Sequence, residues 1–205
     1  TGSVQYGSDA LGGVINVNSL LPDNSETKTW LVKAISRATT SGIEQSVRPL
    51  LQYSTKNISA YVTCSYNNFG DLRGGDTTGF QRPSGYKQLS TDSRLSFKTN
   101  NNWHFYAGVT RVSQLDVPLF HRYKLESFRV AMSDPLKRGI TFLRTKKVLN
   151  FGILQQFKLD LAAQQLSENR FFQSNNRMIT LQYVFLCLCL MDDLDVQLWY
   201  FFLDY

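Results

Sequence analysis

Apolar and polar residues alternate with a period of two through most of this 205-residue chain. Successive side chains of a strand point to opposite faces, so this alternation predicts strands with one apolar and one polar face. The clearest segment is 58–68, where only Tyr61 departs from the pattern. Its apolar set is Ile58, Ala60, Val62, Cys64 and Tyr66, and its polar set is Ser59, Thr63, Ser65 and Asn67. Helical periodicity is nearly absent, and an all-β fold is therefore expected.

The same alternation recurs at 46–54, 92–98, 103–109 and 157–164, and a first strand is expected near 27–39. Clusters of Gly, Asn, Asp, Ser and Thr separate these segments, which is typical of an antiparallel meander. Several segments run for about ten residues or more, the length of a tilted membrane-spanning strand. Strands of soluble proteins average about five or six residues. Strand length therefore favours a transmembrane up-and-down β-barrel, although a soluble β-sandwich would alternate in the same way.

The connections between these segments differ in length. They are short at 55–57 and 100–102 and long at 70–88 and 115–138. Outer-membrane barrels have short periplasmic turns and longer extracellular loops. If the short connections are periplasmic and the long ones extracellular, the chain enters its first strand from the periplasmic side. The connection at 40–42 would then be extracellular, and it is short where a long loop is expected.

Composition excludes several other classes. The formal net charge of +6 comes from scattered Lys and Arg, without the cluster that marks a nucleic-acid-binding surface, so no nucleic-acid partner is expected. Three cysteines at 64, 187 and 189 form no CxxC motif, which argues against a disulfide framework and a metal site. The chain opens without a signal peptide, and no uncharged apolar run reaches the length of about 18 residues that a membrane helix needs.

One segment is far more specific than the rest. Residues 4–17 read Val-Gln-Tyr-Gly-Ser-Asp-Ala-Leu-Gly-Gly-Val-Ile-Asn-Val, which closely resembles the end of the plug domain of TonB-dependent outer-membrane receptors. The positions that carry the resemblance are Tyr6, Gly7, Asp9, Gly12, Gly13 and Asn16. The glycines allow positive φ and close backbone approach, as a compact plug requires. These residues are expected to hold the plug together and not to bind substrate.

The resemblance implies a fragment with two parts. Residues 1–24 would be the C-terminal end of the plug, and residues 25–205 the N-terminal portion of the barrel, with about eight strands. A family barrel has about 22 strands, so the fragment is not expected to transport alone. The family actively takes up scarce nutrients such as ferric siderophores, haem or cobalamin across the bacterial outer membrane. It acts without catalysis and without a resident cofactor.

The resemblance also implies partners. These are a TonB-type energy-transducing complex, acting through the missing N-terminal part of the plug, outer-membrane lipid, and a small-molecule or metal-chelate ligand. Base rates within the family favour an iron chelate, while the sequence leaves the transported substrate open. The alternative to this whole interpretation is a soluble β-sandwich module that binds a carbohydrate or another ligand.

The candidate ligand-binding residues lie in the two long loops. His121 could bind haem iron, and the arginines could clamp carboxylates or a ferric chelate, although solvated loop charges are the commoner interpretation of such residues. No Gly-x-Ser-x-Gly, HExxH or P-loop motif is present, so no catalytic residue is predicted. His104 is expected to face the lumen. The loop candidates are Arg73, Arg82 and Tyr86 in the first loop and His121, Arg122 and Tyr123 in the second.

The last stretch, 183–205, is atypical because it is apolar on both faces over 183–190 and again over 199–203. A buried strand, a helix and a sequence artefact such as a frame shift all remain open for it.

Overall fold

The computed structural model describes residues 22–39, 44–75, 77, 79–151, 154–174, 177–192 and 195–204. The plug-like motif at 4–17 therefore lies outside the described residues, together with its Tyr6, Gly7, Asp9, Gly12, Gly13 and Asn16. The predicted domain boundary at residue 24 falls close to the start of the described chain.

The described chain is almost entirely strand, which confirms the all-β expectation. Its single described helix, α1, is six residues long. The described residues hold no helix with the length and apolarity that crossing a bilayer requires. The elements are β1 (Thr29–Ala38), β2 (Glu44–Ser54), β3 (Ile58–Phe69), β4 (Leu72–Arg73), β5 (Phe80–Gln81), β6 (Tyr86–Lys98), β7 (Trp103–Leu115), β8 (Val117–Pro118), α1 (Phe120–Leu125), β9 (Val130–Phe151), β10 (Leu154–Ser174), β11 (Arg177–Asp192) and β12 (Asp195–Asp204).

The main sheet is antiparallel and has ten strands. Its order is β1-β2-β3-β6-β7-β9-β10-β11-β12, with β8 added beside β9, while β4 and β5 form a separate two-stranded sheet. The sheet is larger than the predicted eight strands because the apolar stretch at 183–205 is also extended, forming most of β11 and all of β12. No pairing joins β1 to β12 in the described part of the chain, so the sheet is open.

The strand register separates the side chains into two faces, as the alternation predicts. On one face, called here the apolar face, Ala60 of β3 lies opposite Tyr53 of β2 and Leu95 of β6. On the other, called the polar face, Thr63 of β3 lies opposite Asp92 of β6. Tyr61, which the alternation leaves unassigned, belongs to the polar face, where it pairs with Arg94.

The apolar face is exposed. Trp30, Val32 and Val62 are 68%, 77% and 56% exposed, and the only apolar side chains buried among the described residues are Pro22, Tyr61 and Ala131. Soluble monomers rarely leave a contiguous apolar patch of more than a few hundred Å² in contact with water. The sheet therefore needs a further apolar layer against this face.

The two ends of the sheet differ. At the short-turn end, the turns at 55–57 and 99–102 join β2 to β3 and β6 to β7, and β1 begins there because Thr29 pairs with Ser54. At the long-loop end, the connections run from 70 to 85 and from 116 to 129 and contain short elements of their own. Strands β9 and β10, with 22 and 21 residues, extend beyond β7 at this end, where the β7–β9 pairing stops at Gln114 and Leu136. Strand β11 accompanies β10 to its last residue, Ser174.

Candidate functional site

A buried ionic network lies at the centre of the polar face. Arg94 is only 8% exposed, and its Nη1 lies 2.9 Å from Oδ1 of Asp92. Nη2 of Arg94 donates a hydrogen bond to Thr110 Oγ1 at 3.0 Å. Asp92 also accepts hydrogen bonds from the Tyr61 hydroxyl at 2.6 Å and from the Thr110 hydroxyl at 2.8 Å. One carboxylate thus holds three donors from three adjacent strands.

Gly108 makes room for this network. It lies directly opposite Arg94 on β7 and opposite Phe142 on β9, and the Arg94 guanidinium lies 4.9 Å from the centre of the Phe142 ring. A Cβ atom at residue 108 would lie 2.5 Å from Arg94 Nη1 and closer still to the Phe142 ring. The close approach of the guanidinium to the β7 backbone therefore requires glycine at this position. Sequence reasoning placed Asp92 and Arg94 on the polar face but did not identify the network.

Two further carboxylates of the polar face, Asp160 and Glu168, are also paired. Nε of Arg144 lies 2.6 Å from Oδ1 of Asp160, and Lys158 approaches the same carboxylate at 3.4 Å. Glu168 accepts hydrogen bonds from Arg170 at 2.8 and 2.9 Å. These carboxylates of the polar face are thus all paired with cations.

The segment before β1 packs over the polar face at the short-turn end. Pro22 is buried, and Ser59 Oγ lies 2.8 Å from the carbonyl oxygen of Asp23 and 2.7 Å from Asn24 Oδ1. The Asn24 side-chain amide donates to the carbonyl of Lys56 at 2.9 Å. The chain therefore approaches β1 across the polar face. A cavity of about 350 Å³ beside this segment is lined by Asn24, Ser25, Glu26, Lys56, Asn57, Lys98, Thr99, Asn100 and Asn102.

In the first long loop, the structure brings two of the three candidates together. The guanidinium groups of Arg73 and Arg82 lie 5.7 and 5.0 Å from the centre of the Phe80 ring. The prediction that Tyr86 belongs to this loop was wrong. Tyr86 begins β6, paired with Phe69, and the two rings are 4.7 Å apart. The first three residues of β6, 86–88, therefore lie within the expected loop.

Asp71 fixes the base of this loop. Its carboxylate accepts hydrogen bonds from the backbone amides of Ser84 at 2.8 Å and Gly85 at 3.0 Å. These bonds favour the charged form and hold the pKa of Asp71 below its usual value, and the nearby Arg82 lowers this pKa further. The Asp71 carboxylate, near the start of the loop, thus holds the end of the loop close to it, an arrangement called here the Asp71 lock.

The Asp71 lock should respond to acid. The pKa of Asp71 is lower in the folded protein than its ordinary value of 3.8. The stabilisation from its hydrogen bonds is therefore complete above 3.8 and is lost as the pH falls through the lower pKa of the folded state. We expect the amide proton resonances of Ser84 and Gly85 to titrate with a midpoint below 3.8. In Asp71→Asn, which cannot ionise, this titration should vanish. A midpoint at or above 3.8 would contradict the lock.

In the second long loop, the candidate Arg122 contacts an acidic side chain and two aromatic rings. It pairs with Glu126, and its guanidinium lies 5.8 and 5.3 Å from the centres of the Phe128 and Phe172 rings. It therefore joins the loop to β10. His121 is exposed and Tyr123 half-buried, and no group of three metal-ligating side chains occurs among the described residues.

The remaining residues singled out in the sequence take simple positions. His104 lies on the polar face, away from Trp103, between Lys98 and Lys146 in the register. Cys64 takes part in no disulfide with another described residue. Comparison of the chain with family models, with characterised proteins and with solved structures finds no match.

Proposed function

We propose that this chain is part of a TonB-dependent outer-membrane receptor that takes up a scarce nutrient. The observation that carries the proposal is the inverted distribution of polarity in the sheet. The exposed face is apolar, while the buried ionic network lies on the opposite face. This is the distribution expected where lipid covers one face and a polar lumen lies behind the other.

The height of the apolar band supports a membrane location. Trp103, near one edge of the band, and Arg111, at the other, are separated along β7 by eight residues (111 − 103), which is about 27 Å at ~3.4 Å per residue. An outer-membrane barrel has an apolar band about 25 Å tall. Between these two residues, the apolar face of β7, β9 and β10 carries no charged side chain. Its members are Phe105, Ala107, Val109, Thr141, Leu143, Thr145, Leu159, Leu161 and Ala163.

Aromatic side chains line the short-turn edge of this band. The ring centres of Trp30 and Tyr53 are 4.6 Å apart, and those of Trp103 and Phe157 are 6.3 Å apart. Lys147 places its ammonium group 4.8 Å from the centre of the Trp103 ring. Tryptophan, tyrosine and lysine gather where lipid headgroups meet hydrocarbon, so these residues support an interface at this level.

The path of the N-terminal segment supports a plug inside the lumen. Residues 22–26 pack on the polar face, so the described chain reaches β1 from the side that would be the lumen. The motif at 4–17, which resembles the end of a plug, stands directly before this segment. In this proposal residues 1–24 end the plug, the barrel begins at residue 25, and a TonB-type complex acts through the plug.

Arg73 and Arg82 suggest the chemistry of the ligand. Both guanidinium groups lie on Phe80 in a loop at the long-loop end, which is extracellular in this proposal. Guanidinium groups form bidentate hydrogen bonds with carboxylates and related oxyanions. We therefore assign the ligand to anionic metal chelates such as ferric siderophores.

Membrane insertion is tested first, by the depth of Trp103. A variant carrying Trp30→Phe and Trp199→Phe retains only Trp103 and is mixed with vesicles whose acyl chains carry bromine near the headgroup. Bromine quenches tryptophan on contact, so we expect strong loss of emission. The control variant moves the tryptophan to the polar face at nearly the same level, as Lys98→Trp with Trp103→Phe, and should be quenched much less. Equal quenching of both, or none, would support the soluble β-sandwich instead.

Uptake is tested in the complete receptor. The chain is expressed with its flanking coding sequence in a bacterium that lacks its own ferric-chelate receptors. Growth on a ferric siderophore is expected, and it should disappear when the energy-transducing complex is deleted. The double variant Arg73→Gln, Arg82→Gln should weaken uptake severalfold. Growth that persists without the energy-transducing complex would refute the proposal.

A further inference from the structure

Two cations lie together on the apolar face at its long-loop edge. Arg111 of β7 is opposite Gly139 of β9, and Lys137 of β9 is opposite Ser113 of β7. Arg111 and Lys137 are therefore diagonal neighbours on adjacent strands, about 7 to 8 Å apart at the backbone. Both side chains are exposed. They stand directly beyond the uncharged band that ends at Val109.

This pair has no compensating carboxylate. In β6, β7, β9 and β10, no Asp or Glu lies on the apolar face between the level of Trp103 and that of Lys137. Among the described residues, the salt bridges include neither Arg111 nor Lys137. The polar-face cations Arg94, Arg144 and Arg170 each have an acidic partner. Arg111 and Lys137 are thus available to pair with an anion from outside the described chain.

The surface around the pair is recessed and polar. A Cβ atom at Gly139 would have no atom within 4 Å, so the surface beside Arg111 is open. Side chains able to donate or accept hydrogen bonds surround this opening, namely Thr91, Ser113, Gln165 and Ser167. On its side toward the apolar band the recess adjoins Val109, which lies opposite Thr141. The exposed side chain of Leu143 follows one residue pair further along β9, so a ligand with an extended apolar part would meet charge and hydrocarbon together.

We propose that Arg111 and Lys137 bind the phosphate of a phosphorylated lipid in the leaflet at the long-loop end, with its acyl chains lying on the apolar band. The inference rests on the membrane location in the proposed function. Guanidinium and ammonium groups both form charge-assisted hydrogen bonds with phosphate oxygens. A lipid fits better than a free phosphate ion because the recess continues into an exposed aliphatic surface.

The experiment measures lipid preference. The full chain is reconstituted in phosphatidylcholine vesicles containing a trace of spin-labelled phosphatidic acid or spin-labelled phosphatidylcholine, in 0.1 M salt. The fraction of immobilised label gives the relative association constant. A preference for phosphatidic acid is expected, and the double variant Arg111→Gln, Lys137→Gln should abolish it. Each cation near an anionic headgroup is expected to change the relative association constant by about fivefold.

The matched control uses the next residue on the same strand. Lys137→Gln and Arg138→Gln each remove one exposed cation, but Arg138 lies on the polar face, opposite Val112. Lys137→Gln should lower the preference about fivefold, and Arg138→Gln should leave it unchanged. If both substitutions lower the preference equally, the preference depends only on the net charge of the chain, and the inference is overturned. If bromolipid quenches Trp103 but the chain shows no preference for phosphatidic acid, only the lipid-binding inference is overturned. If the chain does not insert into the vesicles at all, the proposed function is overturned as well.

Discussion

Replacing Asp92 by alanine is expected to lower the free energy of unfolding by about 3 to 5 kcal/mol, the usual effect of removing one partner from a buried ion pair. Arg94 is 8% exposed and would keep its charge without a counter-ion. The hydroxyls of Tyr61 and Thr110 would lose their acceptor as well. Urea unfolding of the reconstituted chain, followed by tryptophan emission, gives the change in stability.

Two further variants separate the ion pair from its surroundings. Asp160→Ala removes a carboxylate from an equivalent place on the polar face, but its partner Arg144 is 43% exposed and stays hydrated, so a cost below about 1 kcal/mol is expected. The double variant Asp92→Ala, Arg94→Met removes both charges and should recover most of the lost stability. If Asp92→Ala costs no more than Asp160→Ala, the network does not stabilise the sheet.

The second large effect is expected at Gly108. In Gly108→Ala the added methyl group must displace Arg94 and the Phe142 ring, and overpacking of this kind costs about 1 to 3 kcal/mol. Gly139→Ala is the matched control, because it also lies within a long strand but has open space around its Cα. That substitution should change stability by less than about 1 kcal/mol, in the stabilising direction.

The two predictions are coupled. Without the Asp92 carboxylate, the Arg94 side chain can move more easily. The methyl group of Gly108→Ala should therefore displace it at a lower free-energy cost. The double variant Asp92→Ala, Gly108→Ala should therefore cost less than the sum of the single variants, by about 0.5 kcal/mol or more, as is usual for residues that share a network. Strict additivity would indicate that Gly108 and Asp92 act independently.

The faces of the strands could be predicted from sequence because a period of two leaves only one choice for each residue. Asp92, Arg94 and Thr63 fall on the polar face by this rule alone. The network itself could not be predicted, since it depends on register. Arg94 meets Gly108 only because β6 and β7 join through the turn at 99–102, and a shift of one residue would exchange the faces.

The loops were less predictable because their contacts are not periodic. Arg73 and Arg82 come together through the short pairing of β4 with β5 and through the ring of Phe80. Arg122 was expected to contact ligand, and its packing against Phe172 of β10 could not be read from a sequence separation of 50 residues (172 − 122). At 183–205, alternation is absent, so the extended backbone of β11 and β12 could not be distinguished from a helix.

The segment before β1 also determines how tension would enter the sheet. Residues 23–25 are tied to the β2–β3 hairpin by hydrogen bonds to residues 55, 56 and 59, whereas β1 begins only at Thr29. A pull on the chain before Pro22 therefore reaches the tip of that hairpin first. Strand β1 would be loaded only after these bonds had broken, so the bonds of residues 23–25 would protect the register of the first strand against such a pull.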